Sequence, residues 1–382
     1  MPILPSSDAL AAERAWVEID TEAIAHNICA LQSVLTPGTD LLAVVKADAY
    51  GHGAVRVAAL AEQLEVKSFG VATVPEGIEL RQAGIRASIL VMGAVQSRAQ
   101  IEAIAQWRLE PTLCDPVQAQ CFADALSAPL PVHLKIDTGM SRLGYPWEQC
   151  ADFMQQVMAL PHLHVASLYS HLATADDPDP RFMKEQQARF EEAIGRSRAA
   201  GIPIPTLHLA NSAGTLFSPA MHYDRVRVGL SLYGIYPGPQ FEAAIALKPA
   251  MQVRARIAHI RDLPAGVGIS YGHRFVTANP CRVAVISIGY ADGVPRNLSN
   301  RMQVLVRGQR VPQLGIITMD QIVIDVTAIP DAAVGDSVTL LGKDGSSNIP
   351  SEEWSRLLDT IPYEIACGFQ QRLPRVGVRS SM

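Results

Sequence analysis

No apolar run in this 382-residue chain approaches the roughly 18 residues that a bilayer-spanning helix needs, so no membrane partner is expected. Nor is there an excess of basic residues. The 32 Lys and Arg stand against 37 Asp and Glu, and a net charge of −5 gives nucleic acid no electrostatic handle. Cysteine is present but unorganised: Cys29, Cys114, Cys121, Cys150, Cys281 and Cys367 form no Cys-x-x-Cys pair and have no His at ligand spacing. That excludes the usual zinc patterns and a disulfide framework, and it points to thiols in a reducing compartment. The N-terminus lacks a basic stretch followed by an apolar core, so no secretory signal is read and a cytoplasmic protein is expected. There is no internal repeat and no low-complexity tract.

What remains is an ordinary soluble composition, 48% apolar and 18% charged, on a chain long enough for two domains or for one large barrel plus an appendage. One stretch stands out. Leu41-Leu42-Ala43-Val44-Val45 runs straight into Lys46 and then breaks at Tyr50-Gly51-His52-Gly53. An apolar run bounded by turn residues reads as a strand buried on both faces. A lysine at its end is poorly hydrated, which lowers an amine's pKa and makes it a usable nucleophile. The plainer alternative is a lysine whose stem lies on the strand end while its charge reaches water.

From there strand and helix signals alternate. Strand-like runs cover residues 69–74, 88–92, 109–113, 132–136, 165–172, 206–210 and 225–232, with helix-like segments between them at 54–65, 75–83, 98–106, 116–126, 147–160 and 181–200 and a short one from Ser212. This alternation predicts βαβ units, and with the lysine strand the count fits a (β/α)8 barrel, a doubly wound sheet being the alternative. Residues 16–20 are a strand left over, expected to pair with the C-terminal region, ahead of a helix carrying Ile24, Ile28, Leu31 and Leu35 on one face. Beyond Leu247 the runs become short and β-rich, with one helix at 351–358 capped by Ser351. The expected organisation is an N-terminal extension 1–15, a barrel 16–245 and a mostly-β domain 246–382.

A barrel carries its chemistry at the C-terminal ends of its strands. Lys46 ends the first strand, Lys135-Ile136-Asp137 the fifth, His171 the sixth and Asn211-Ser212 the seventh, while Arg227-Val228-Gly229 lies on the eighth. Each has an ordinary explanation: a hydrogen-bonded core histidine, a helix cap at Asn211, Lys135 and Arg227 paired with Asp137 and Asp224. Taken together those explanations weaken, because buried cations without partners are costly. The seventh and eighth strand ends are where this fold builds a phosphate pocket. A reactive lysine facing a phosphate pocket points to a phosphorylated carbonyl cofactor, and pyridoxal 5'-phosphate fits.

At this point the chain resembles the alanine racemases, a family of fold-type III pyridoxal-phosphate enzymes. The resemblance runs through Ala43–Gly53, Lys135–Gly144, the run from His171 to Asp176, Asn211-Ser212, Arg227-Val228-Gly229, Ser270-Tyr271-Gly272, the run from Gly289 to Gly293 and Met319-Asp320-Gln321. The family implies that Lys46 holds the cofactor as a Schiff base and is one of two catalytic acid/bases. It implies that Tyr50, Ser212, the backbone at Gly229 and Leu230, and Tyr363 contact the phosphate, with Asn211 beside them. Arg227 then faces the pyridine nitrogen, with His171 as its neighbour. Arg142 takes the substrate carboxylate, beside Lys135, which relatives often carry carbamylated. Tyr271 becomes the second acid/base, supplied with Met319 and Asp320 by the other subunit of a homodimer. The implied reaction is interconversion of L- and D-alanine for peptidoglycan. A non-catalytic pyridoxal-phosphate carrier and a serine or broad-spectrum racemase are the alternatives. Thr318 departs from the family, where cysteine is common.

Overall fold

A computed structural model describes residues 11 and 13–378. They form two compact units, one spanning Ala23–Lys248 and the other combining the chain up to Glu22 with the chain from Pro249. The strand Ala15–Asp20 therefore belongs with the C-terminal unit, not with the barrel that follows it.

In the first unit the strands pair in the order Arg225–Val228, Asp40–Val44, Ser68–Val71, Ser88–Ala94, Glu110–Leu113, Leu130–Asp137, Leu163–Tyr169 and Thr206–His208, all parallel. The ends of this sheet meet. Asp224 donates its N–H to Leu207 O at 3.2 Å and Arg227 its N–H to Ala210 O at 2.9 Å, which makes the sheet a barrel and removes the doubly wound alternative. In Asp40–Val44 only the leading aspartate is exposed, as the unbroken apolar run requires.

Helices Ala54–Gln63, Val74–Gln82, Arg98–Gln106, Pro116–Ala125, Cys150–Met158, Arg181–Ala199 and Ser212–Phe217 follow the strands. Their starts are written in side chains. Thr73 and Glu76 form a reciprocal capping box, Asp115 accepts from Gln118 N, and Asn211 accepts from Gly214 N. Helix Thr21–Ser33, opened by Asp20 accepting from Glu22 N, buries Ile24, Ile28 and Leu31.

The second unit is a mostly antiparallel sheet of short strands. Ala15–Asp20 pairs antiparallel with Met251–Leu263 and parallel with the final strand Arg375–Val378. Cys281–Ile286, Ile322–Asp325, Gln309–Leu314, Gln303–Val306, Ser337–Asp344 and Ser347–Ile349 complete the sheet. Helix Ser351–Leu358 is capped by Pro350, so Ser351 is its first helical residue and not the expected cap. Helix Pro362–Cys367 and strand Arg375–Val378 are additions that the periodicity did not announce. All six cysteines are free. No helix among the described residues is long and apolar enough to cross a membrane, and no group of His, Cys, Asp and Glu among them gathers to hold a metal ion.

Candidate active site

The lysine strand ends in an uncommon backbone. Ala47, Asp48, Ala49 and Tyr50 adopt φ values of 52°, 53°, 53° and 55°, a turn of left-handed helix made without glycine. Such a conformation costs roughly 1–2 kcal/mol per residue, so other bonds must hold it. Glu76 accepts from Ala47 N at 2.8 Å with one oxygen and from Ala72 N at 2.7 Å and Thr73 N at 3.0 Å with the other. Asp48 accepts from Ala54 N at 2.7 Å, and Ala49 N donates to Val45 O at 2.8 Å. Beneath the turn, the buried His52 ring stacks on Tyr233 at 4.4 Å, and Tyr233 donates its hydroxyl to Val44 O at 2.9 Å. Lys46 is thereby set at the mouth of the barrel, half-buried. Glu76, His52 and Tyr233 were not singled out from sequence.

The turn also aims Tyr50 inward. Its ring is buried, packs 5.2 Å from Tyr233, and brings its hydroxyl against Gly229. Gly229 N–H donates to Ser212 Oγ at 3.1 Å, which leaves the serine hydrogen to point elsewhere. Tyr50, Ser212 and the Gly229–Leu230 backbone thus converge. Asn211 spends its side-chain oxygen on the cap of the Ser212 helix.

Arg227 is buried, and its partners are not the expected acids. Its Nη2 donates to Ser170 O at 2.6 Å, Leu209 O at 3.0 Å and His171 Nδ1 at 3.3 Å, and its Nη1 to His208 O at 3.1 Å and His208 Nδ1 at 3.0 Å. Asp137 and Asp224 are committed locally. Asp137 accepts from Gly139 N and Ser141 N, and Asp224 accepts from Leu207 N. Backbone N–H groups within a turn or beside the carboxylate are satisfied first, which is why sequence proximity misled. Burial brings the Arg227 guanidinium down to about 10.

Lys135 is also buried, and burial, reinforced by Arg227, brings its amine down to about 8. Arg142 is exposed at the same strand end. His171 ties these groups together. Burial holds its imidazole well below the ordinary value, and the charges of Arg227, Lys135, Arg142 and Lys46 all act in the same direction. The charges of four cations from three strand ends therefore bear on His171, which stays neutral.

Tyr271, Met319, Asp320 and Tyr363 lie in the second unit. There the remaining motifs come together. Ser270, at φ 63°, is held by its hydroxyl on Ile316 O at 2.7 Å, and Ile269 packs into a small core with Val283 and Leu314. Tyr290 N and Ala291 N each donate at 3.0 Å, to Thr318 O and Met319 O respectively, an approach only glycine at 289 permits, since a Cβ there would sit 2.3 Å from both carbonyl oxygens. Arg372 fixes Asp320 at 2.9 Å. On this frame Tyr271 is 70% exposed and Met319 51% exposed. Tyr363 is half-buried on helix Pro362–Cys367.

This pairing of a lysine-bearing barrel with a β unit has clear counterparts. Residues 19–237 match the alanine racemase N-terminal domain and residues 250–377 the alanine racemase C-terminal domain. An alanine racemase from Nostoc sp. is 59% identical over 371 residues, covering 96% of this chain and 96% of the relative. Among solved structures, the alanine racemase of Clostridium difficile 630 superposes with a TM-score of 0.91 at 34% identity over 96% of both chains. That of Bartonella henselae, with covalently bound pyridoxal phosphate, superposes at 0.86 and 31% identity over 96% of this chain and 99% of its own. The chain belongs to the alanine racemase family.

Proposed function

We propose that this chain interconverts L- and D-alanine with pyridoxal 5'-phosphate as its cofactor, supplying D-alanine for peptidoglycan. The observation that carries the reading is the meeting of the Tyr50 hydroxyl, Ser212 Oγ and the Gly229 backbone at the strand ends that also carry Lys46 and the Arg227–His171 pair. The residues fit the cofactor. Gly229 has no side chain where Tyr50 arrives, and Ser212 keeps a hydrogen to donate, so two hydroxyls meet backbone at one point, as a phosphate needs.

Lys46 Nζ would hold the cofactor covalently. Tyr50, Ser212, the backbone of Gly229 and Leu230, and Tyr363 would hold its phosphate, with Asn211 keeping the Ser212 helix in place. When bound, the cofactor supplies an electron sink that makes the amino acid's α-hydrogen acidic enough to transfer. Arg227 would donate to the ring nitrogen, and with its pKa at about 10 it keeps its own protons at neutral pH. Arg142 would take the substrate carboxylate.

Racemisation needs a base on each face of the α-carbon. Lys46 takes or returns the proton on one face and the partner subunit's Tyr271 on the other, which makes the working enzyme a homodimer. An exposed tyrosine on a loop held by the Ser270 hydroxyl suits that task. Met319 and Asp320 would line the entrance beside it. At Lys135 the lowered pKa leaves part of the amine uncharged near neutrality, the form that adds carbon dioxide. A new N–C bond with loss of the amine proton turns a cation into an anion able to steady Arg142. A carrier lacking a second domain is not favoured, because the matched C-terminal domain carries Tyr271.

The test is incubation of the purified protein with L-alanine, D-alanine or L-serine in deuterium oxide. Deuterium at the α-carbon together with inversion of alanine is expected. Cofactor binding without α-hydrogen exchange on any amino acid would support a carrier instead.

A further inference from the structure

Behind Arg227 the barrel interior holds a line of polar side chains that the proposed reaction does not use. Arg227 Nη1 lies 3.0 Å from His208 Nδ1, and His208 Nε2 lies 2.7 Å from Ser167 Oγ. Ser167 Oγ lies 2.5 Å from His133 Nδ1, and His133 Nε2 lies 2.8 Å from Glu110 Oε2. His133, Ser167 and His208 are buried, and Glu110 is partly exposed at the far end.

The direction of this line is forced by its two ends. A guanidinium only donates, so His208 Nδ1 accepts and the His208 proton sits on Nε2. That N–H goes to Ser167 Oγ, and with one proton on His133 the serine hydrogen goes to His133 Nδ1. His133 in turn carries its proton on Nε2 and gives it to the Glu110 carboxylate, which only accepts. Burial, with the Arg227 charge next, holds His208 well below the ordinary imidazole value, so it stays neutral with a single proton. Turning the His208 ring over would set carbon atoms against both of its partners, Arg227 and Ser167. The ring stacks on Tyr169 at 4.7 Å and 9°, and the Tyr169 hydroxyl is tied to Thr112 at 2.7 Å. Reversing any one bond would set two donors or two acceptors against each other in a dry interior.

Arg227 has no carboxylate within ion-pair distance among the described residues, and this line ends on one. We propose that Glu110 is a positioning residue for Arg227: through His133 and Ser167 it fixes the Nε2-protonated tautomer of His208, which turns an acceptor nitrogen toward the guanidinium. The consequence for catalysis rests on the proposed role of Arg227. The tautomer assignment does not.

The test uses holoenzyme labelled with 15N-histidine, with His133 and His208 resonances identified by substitution. The His208 ring should show a protonated Nε2 and a bare Nδ1 between about pH 6 and pH 9. In Glu110→Leu and Ser167→Ala the two His208 nitrogen shifts should move toward each other as the tautomers mix, while Ser167→Thr, which keeps the hydroxyl, should hold the wild-type pattern. The same two broken variants should lose about tenfold in kcat, the worth of one charge-assisted hydrogen bond, with KM for alanine almost unmoved and with recovery in Ser167→Thr. A wild-type His208 protonated on Nδ1 or on both nitrogens overturns the proposal. So does a wild-type His208 signature in both broken variants, or a lost signature with kcat unchanged. A wild-type protein with the expected tautomers and no racemase activity overturns the racemase reading and leaves the tautomer assignment standing.

Discussion

A methyl group at position 229 would lie 2.5 Å from the Tyr50 hydroxyl and 3.0 Å from Cζ of the same ring. Tyr50 cannot retreat, because its ring is buried beside Tyr233 and its backbone is fixed in the left-handed turn. Gly229→Ala should therefore cost about 1–3 kcal/mol of stability, as overpacking does, and weaken pyridoxal phosphate binding. Urea unfolding and titration of the apoenzyme with the cofactor measure the two effects. Unchanged values for both would remove the tyrosine from the phosphate pocket.

The turn after Lys46 inverts the usual rule for glycine. Ala47 is exposed and left-handed, so Ala47→Gly loses no packing and relieves backbone strain. Stability should stay level or rise by about 0.5–1 kcal/mol, where an ordinary helix would lose that much. A loss of about 1 kcal/mol in denaturant unfolding would mean that the turn is right-handed in solution.

Lys135 gives stability a pH dependence of definite sign. Its amine is brought from 10.5 down to about 8 by burial and, next, by Arg227. Between those values the unfolded chain binds more protons than the folded one, so stability rises with pH across the window, and below it the full cost of burying the ammonium is present. In buffer freed of carbon dioxide, Lys135→Met should raise stability at neutral pH by on the order of 2 kcal/mol and flatten the rise. Equal slopes in the two proteins, followed by urea unfolding on either side of pH 8, would place the lysine's charge in water.

Much of this was legible in the sequence because it is local. The apolar run before Lys46 and the Asn211-Ser212 helix start are each set by residues a few positions apart. Arg227 was legible as a buried cation, but its partners were not. Asp224 is near it in sequence and satisfies a backbone N–H, that of Leu207, while the imidazole that meets Arg227, His208, gains its meaning only from Ser167, 41 residues away. The left-handed turn was invisible for a related reason. Ala47-Asp48-Ala49-Tyr50 contains no glycine, and a distant carboxylate, Glu76, holds what local propensity disfavours.

In the proposed two-base site Lys46 comes from one subunit of a homodimer and Tyr271 from the other. Lys46→Ala and Tyr271→Phe homodimers should each be inactive. Unfolded together and refolded as a mixture, they form heterodimers in which one of the two sites has both groups intact. Racemase activity should then return to about a quarter of the wild-type value. No recovery from a mixture shown to contain heterodimers would place both groups in the same chain and contradict the account.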